Sequence, residues 1–160
     1  VVDPVMAATS GRKLSGDASG DFFLELFAEA ALITPNIPEA ARLLGEEIRD
    51  KKEVEQAAAS LAKKYHTAVL IKGGHADTGA DDYLFTGKED VWFPGTRLDN
   101  TNTHGTGCTL SSAIACGLAE GFLLKEAVGR AKEYLTGAIA AGLDLGHGNG
   151  PLDHMYRLRK

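Results

Sequence analysis

The chain has 160 residues, 44% of them hydrophobic and 24% charged, and a formal net charge of -5. Such a length and composition predict one folded domain over residues 1–160, and the acidic balance excludes a nucleic-acid binder, which needs a basic stripe to displace counterions. No apolar run approaches the ~20 residues of a membrane span, no signal-peptide pattern is present, and two cysteines without zinc-like spacing fit a reducing, cytoplasmic setting.

Residues 1–5, Val-Val-Asp-Pro-Val, read as a short buried strand entered partway, so upstream residues are expected to be missing. Residues 7–16 are small and polar and predict a loop. Over residues 18–30, Phe22, Phe23, Leu26, Phe27 and Ala30 share one helical face. Leu32-Ile33-Thr34 predicts a strand ended by Pro35, followed by a helix over about residues 38–44. Residues 51–65 put Val54, Ala58, Leu61 and Tyr65 on one stripe, with Lys and Glu opposite. Ala68-Val69-Leu70-Ile71 is continuously apolar, which suits a strand buried on both faces. It stops at Gly73-Gly74.

Tyr83-Leu84-Phe85 and Val91-Trp92-Phe93 flank Thr86-Gly87-Lys88-Glu89-Asp90, the pattern of a hairpin. Residues 107–121 and 124–142 predict two Ala- and Gly-rich helices. The first presents Leu110, Ala113, Ile114, Gly117 and Leu118, and the second Val128, Ala131, Leu135, Ala138 and Ile139. Cys108 and Cys116 fall in the first helix about two turns apart, beyond disulfide reach. Residues 146–160 have weak periodicity, and the closing Arg157-Leu158-Arg159-Lys160 reads as a solvated tail. Strands alternating with helices predict a mostly parallel sheet covered by helices on both sides, with ligands beyond the carboxyl ends of its strands.

Four segments fall at such ends. In Asn102-Thr103-His104-Gly105-Thr106-Gly107-Cys108-Thr109-Leu110, two glycines one residue apart allow a tight turn with open amides just before a helix. The helix dipole adds positive charge there, so a phosphate fits; the alternative is a plain loop-to-helix turn. The pattern is neither a P-loop nor a dinucleotide fingerprint. The helix start favours a thiolate at Cys108, which could serve as base or polarising group for a substrate hydroxyl. A small buried hydrophobe is the other reading of Cys108 and the expected one for Cys116.

In Thr34-Pro35-Asn36-Ile37-Pro38-Glu39, Asn followed three residues later by Glu reads as a capping box with proline in the first turn. The functional reading places Glu39 near a metal–phosphate complex, acting through water. Lys72 ends a buried strand and needs a partner: a phosphate oxygen, or solvent reached by snorkelling past the glycines. Asp3 also ends a strand and could bind metal or cap the turn.

Taken in order, Asp3-Pro4-Val5-Met6-x-Ala8-Thr9-Ser10-Gly11, Thr34-Pro35-Asn36-Ile37-Pro38-Glu39-Ala40, Lys72-Gly73-Gly74-His75 and the Gly105-Thr106-Gly107-Cys108 turn resemble the ribokinase-like superfamily. Within it they most resemble the hydroxymethylpyrimidine/phosphomethylpyrimidine kinases of thiamin biosynthesis. Most superfamily members carry Asp where this chain has Cys108.

The resemblance implies a three-layer α/β/α kinase fold lacking its N-terminal strands. It implies transfer of the γ-phosphoryl group of ATP to 4-amino-5-hydroxymethyl-2-methylpyrimidine or its monophosphate, with Mg2+. Gly105, Thr106 and Gly107 would form the anion hole and Cys108 would take the place of the catalytic base. Asn36 and Glu39 would manage magnesium and phosphate, Lys72 would hold the ATP phosphates, Asp3 would lie near ADP–magnesium, and Val5 beside the pyrimidine. A homodimer is expected. The alternatives are a pyridoxal kinase of the same superfamily and an inactive nucleotide-binding fragment.

Overall fold

Apolar runs flanked by turn residues form the strands of the chain, and residues with a helical stripe form its helices. The structure is a computed structural model that describes residues 1–6, 25–74, 80–96, 98, 104–143, 145 and 150–159. The loop expected over 7–16 and most of the helix expected over 18–30 lie outside the described residues. So do His75, Asn102 and Thr103. Residues 25–28 are helical, as expected for the end of that helix. The chain divides into two compact units, Val1–Arg97 and Leu98–Lys160.

The first unit is built on a four-stranded sheet in the order β1-β2-β3-β4. These strands are β1 (Leu32–Ile33), β2 (Ala68–Ile71), β3 (Asp82–Phe85) and β4 (Asp90–Phe93). β1 and β2 are parallel, with Ile33 opposite Val69. β3 runs antiparallel to β2, with Ile71 opposite Tyr83, and β3 and β4 form the expected antiparallel hairpin. The sheet is therefore parallel on one side and antiparallel on the other. The strand expected over residues 1–5 contributes only one parallel bridge, Val2 to Ile33. Val2 N donates to Leu32 O at 2.9 Å and Thr34 N to Val2 O at 3.0 Å. Pro4, with no N–H, prevents the ladder from running on.

Helices α1 (Ile37–Leu44) and α2 (Lys51–Tyr65) belong to the same unit. Asp50 caps α2 by accepting from Glu53 N, and its far end closes at His66 in the left-handed conformation. The stripe read from the sequence is the buried one: Val54, Ala58, Leu61 and Tyr65, joined by Ala57. It packs with Ile33, Ile37, Ala40, Val69, Ile71, Tyr83 and Phe27 in one core. Phe27 meets Tyr65 edge-on at 4.9 Å between ring centroids. Strand alternation sends Leu32, Leu70 and Leu84 to the opposite face, where they too are buried. Both faces of the sheet are thus covered, as the continuous apolar run of β2 requires.

The second unit pairs α3 (Thr106–Ala119) with α4 (Leu124–Ala140). Leu110 and Ile114 of α3 are buried, as are Val128, Ala131 and Ala138 of α4. Arg157, Leu158 and Arg159 are exposed, as expected of a solvated tail, while the segment before them packs. Asp153, only 4% exposed, takes an ion pair from Arg159 at 3.2 Å. Tyr156 lies against Gly137, where an added Cβ would come within 2.3 Å of its ring.

Candidate active site

The carboxyl ends of the parallel elements in the first unit carry Asp3 and Lys72, picked out above, and Thr34, which was not. Asp3 follows the Val2 bridge, Thr34 follows β1 and Lys72 follows β2. Lys72 Nζ donates to Asp3 Oδ1 at 2.6 Å, and the side chains are 12% and 10% exposed. Thr34 Oγ1 donates to the same oxygen at 3.0 Å. The snorkelling reading of Lys72 is thereby corrected. Its partner is a carboxylate 69 residues away in sequence, because a nearly buried ammonium is stabilised far more by a fixed anion than by partial hydration. Thr34, completely buried, was missed as a site residue. The available signal was a hydroxyl at the last position of an apolar strand, just before proline.

Asn36 and Glu39 form the capping box. Glu39 N donates to Asn36 Oδ1 and Asn36 N to Glu39 Oε2, both at 2.8 Å. Glu39 is buried, and its other oxygen, Oε1, accepts from Met6 N at 3.4 Å. The box therefore holds two segments, the start of α1 and the chain just after Asp3. Asn36 also bridges to Lys72 in parallel, and Lys72 N donates to Pro35 O at 2.9 Å. Val5 is half-buried, and its amide donates to Asp3 O at 2.8 Å. Asp3, Thr34, Asn36, Glu39 and Lys72 are thus one connected group.

The glycine turn lies in the second unit. Gly105 is the N-cap of α3, with φ of 81°, and no side chain caps the helix. A left-handed residue at this point is cheap only for glycine. The first helical bond shared with the cap runs from Thr109 N to Gly105 O at 2.9 Å. Thr106, Gly107 and Cys108 open the helix, where amides have no acceptor one turn back. Among the described residues no carbonyl or side chain accepts from them. Cys108 is exposed, against the buried-hydrophobe reading, and its carbonyl accepts from Ser111 Oγ at 3.1 Å. Cys116 was expected to be buried and is also exposed, because it lies on the side of α3 away from Leu110 and Ile114. Both thiols are free.

Among the described residues, no three His, Cys, Asp or Glu side chains gather as a metal cage. Nor is any helix long and apolar enough to cross a membrane.

Comparison with known proteins points to one family. The model of the family described as phosphomethylpyrimidine kinase matches residues 1–153. A hydroxymethylpyrimidine/phosphomethylpyrimidine kinase of Streptomyces coelicolor is 46% identical, over 99% of this chain and 59% of that protein. One of Rhizobium meliloti is also 46% identical, over 98% of this chain and 61% of that protein. The chain thus spans about three-fifths of the length of these relatives. Among solved structures, the Staphylococcus aureus pyridoxal kinase in complex with AMP-PCP superposes with a TM-score of 0.87 at 30% identity, covering 99% of this chain and 58% of the other. A phosphomethylpyrimidine kinase of Clostridium difficile gives a TM-score of 0.73 at 36% identity, covering 86% and 56%.

Proposed function

The chain belongs to the phosphomethylpyrimidine kinase family, and from that premise we propose that it is the ATP-handling part of a kinase phosphorylating 4-amino-5-hydroxymethyl-2-methylpyrimidine or its monophosphate. The observation that carries this reading is the start of α3. Left-handed Gly105 presents an uncapped helix end whose amides and dipole suit a phosphoryl group, and Cys108 is exposed in the first turn.

In the reaction, the substrate hydroxyl oxygen bonds to the γ-phosphorus of ATP, the bond from that phosphorus to the bridging oxygen breaks, and ADP leaves. Cys108 serves as the acceptor of the hydroxyl proton. The amides of residues 106–108 steady the charge spread over the phosphoryl oxygens. Lys72 offers its ammonium to the ATP phosphates, with Asp3 holding the side chain in place beforehand. Pre-organisation of that kind reduces the entropy lost on binding.

The residues present also fit a hydrated magnesium ion. Asp3 Oδ2 has no partner among the described residues, and magnesium keeps several waters while using one or two carboxylates. Both oxygens of Glu39 already accept amide hydrogens, so its contact with a metal would run through water. Magnesium would neutralise charge on the phosphates. A single kinase domain spanning both units, a homodimer and a cytoplasmic setting belong to the same proposal.

A second reading has one specific support: pyridoxal kinases are among the structural relatives, with a TM-score of 0.83 for the Bacillus subtilis ADP complex. The test is ADP release by the chain with ATP and magnesium plus each candidate substrate. ADP formation dependent on the pyrimidine alcohol or its monophosphate is expected. Turnover with pyridoxal alone would favour the second reading, and ATP binding without any turnover would leave a nucleotide-binding piece. Cys108→Ser should lower turnover about 10²-fold, the usual size for a lost general base, with ATP affinity unchanged. An unaltered rate would remove Cys108 from the chemistry.

A further inference from the structure

The side chain of Lys72 is aimed by more than its ion pair. Lys72 N is fixed on one side by Pro35 O at 2.9 Å. On the other side, the next residue is fixed as well: Gly73 N donates to Asp82 Oδ1 at 2.9 Å. Asp82 opens β3 and is only 7% exposed. The pairing of β2 with β3 places Ile71 opposite Tyr83, so one step further along the ladder brings Asp82 across from Lys72. Packing closes the same point. A Cβ added to Gly73 would lie 2.2 Å from the backbone oxygen of Asp81, so the strand end is pressed against the start of β3. A buried carboxylate accepting a backbone N–H makes a charge-assisted bond of roughly twice the ordinary strength.

We propose that Asp82 is a positioning residue for Lys72: its buried carboxylate, bound to the Gly73 amide, clamps the strand end that aims Lys72 at Asp3. Asp82 acts through the backbone and needs no contact with a nucleotide. Its relevance to catalysis rests on the assignment of Lys72 to the ATP phosphates. Asn would keep the acceptor oxygen at the same reach, whereas Ala removes it. Three changes would then come together: the Gly73 amide loses its acceptor, the strand end loosens, and the Lys72 ammonium spends more time away from Asp3.

Labelling of lysines by a small amine-reactive reagent, read residue by residue by mass spectrometry, tests this on the chain as it is. Asp82→Ala is expected to raise the labelling rate of Lys72 about tenfold, the size that loss of one hydrogen bond to a charged acceptor produces. Lys63 and Lys64, exposed on α2, should keep their rates. Asp82→Asn, which keeps the acceptor oxygen without its charge, should label between the parent and Asp82→Ala. If Asp82→Ala does not fold, Asp82→Ser, whose hydroxyl falls one bond short of the amide, carries the same expectation. An unchanged Lys72 rate in the folded variant, or an equal rise in Asp82→Asn, would overturn the proposal. The same experiment with ATP and magnesium separates the underlying assignment. Failure of nucleotide to protect Lys72 in the parent would sink the phosphate role of Lys72 while leaving the positioning by Asp82 to stand or fall on the variants.

Discussion

Lys72 and Asp3 form a nearly buried ion pair, and such a pair behaves asymmetrically when cut. Removing one partner leaves an uncompensated charge in a poorly solvated place and typically costs about 3 kcal/mol. Lys72→Ala is expected to lower the free energy of unfolding in urea by about that much. Asp3→Asn combined with Lys72→Met should cost much less, since both charges go together. Equal losses would show that the two groups do not act as a pair. Tyr83 supplies a pH signature of its own. Burial pushes its hydroxyl up to about 12, with the Asp90 and Glu55 carboxylates and a hydrogen bond to Asp90 acting in the same direction. Its folded value lies above the unfolded value of about 10. Its contribution is therefore complete below pH 10 and is lost as the pH rises from there through about 12. Tyr83→Phe should flatten the stability curve in that window relative to the parent; parallel curves would refute it. At this scale the residue types were legible in the sequence. The partners were not, because a lysine at a strand end looks the same whether a phosphate, water or a carboxylate awaits it.

Elements were easier to read, because their causes are local. The helix over 51–65 was placed from its stripe and formed at Lys51–Tyr65, and the strand at residues 68–71 formed over the same residues. The capping box was read from Asn and Glu three positions apart, and both of its bonds are present. Asn36→Ala should therefore cost about 1 kcal/mol, measurable as a shift of the urea midpoint. A larger loss would point to the second task of Glu39, holding Met6 N, being disturbed as well. The first segment was the element misread. Val-Val-Asp-Pro-Val has the composition of a strand, yet only Val2 bridges. Composition registers apolar character, whereas a ladder also needs successive N–H groups on the partner side, and Pro4 has none. The Arg157 to Arg159 segment is exposed, as its charge suggested, yet it has a partner. A 3-10 turn at Tyr156–Leu158 brings Arg159 back onto Asp153, which a count of charges does not show.

The whole molecule is a pair of compact units, and its stability should report on its ligand. A nucleotide that binds only the folded chain adds about 2.7 kcal/mol when present at about 100 times its dissociation constant. ATP with magnesium is therefore expected to raise the melting temperature by roughly 5–10 °C, given the size scaling of thermal unfolding. A melting temperature that ignores ATP would mean that the folded chain does not bind it. The α/β class, the hairpin, the two C-terminal helices and the glycine turn at residues 105–108 were determined by the sequence alone. Each depends on residues within a few positions of one another, where periodicity, capping and backbone sterics act. Only the tertiary structure decided that Lys72 rests on Asp3, that Thr34 joins them, that Asp82 holds Gly73 and that both thiols face outward. Those outcomes depend on strand register and on contacts between segments far apart in the chain, where many pairings are chemically acceptable and packing selects one.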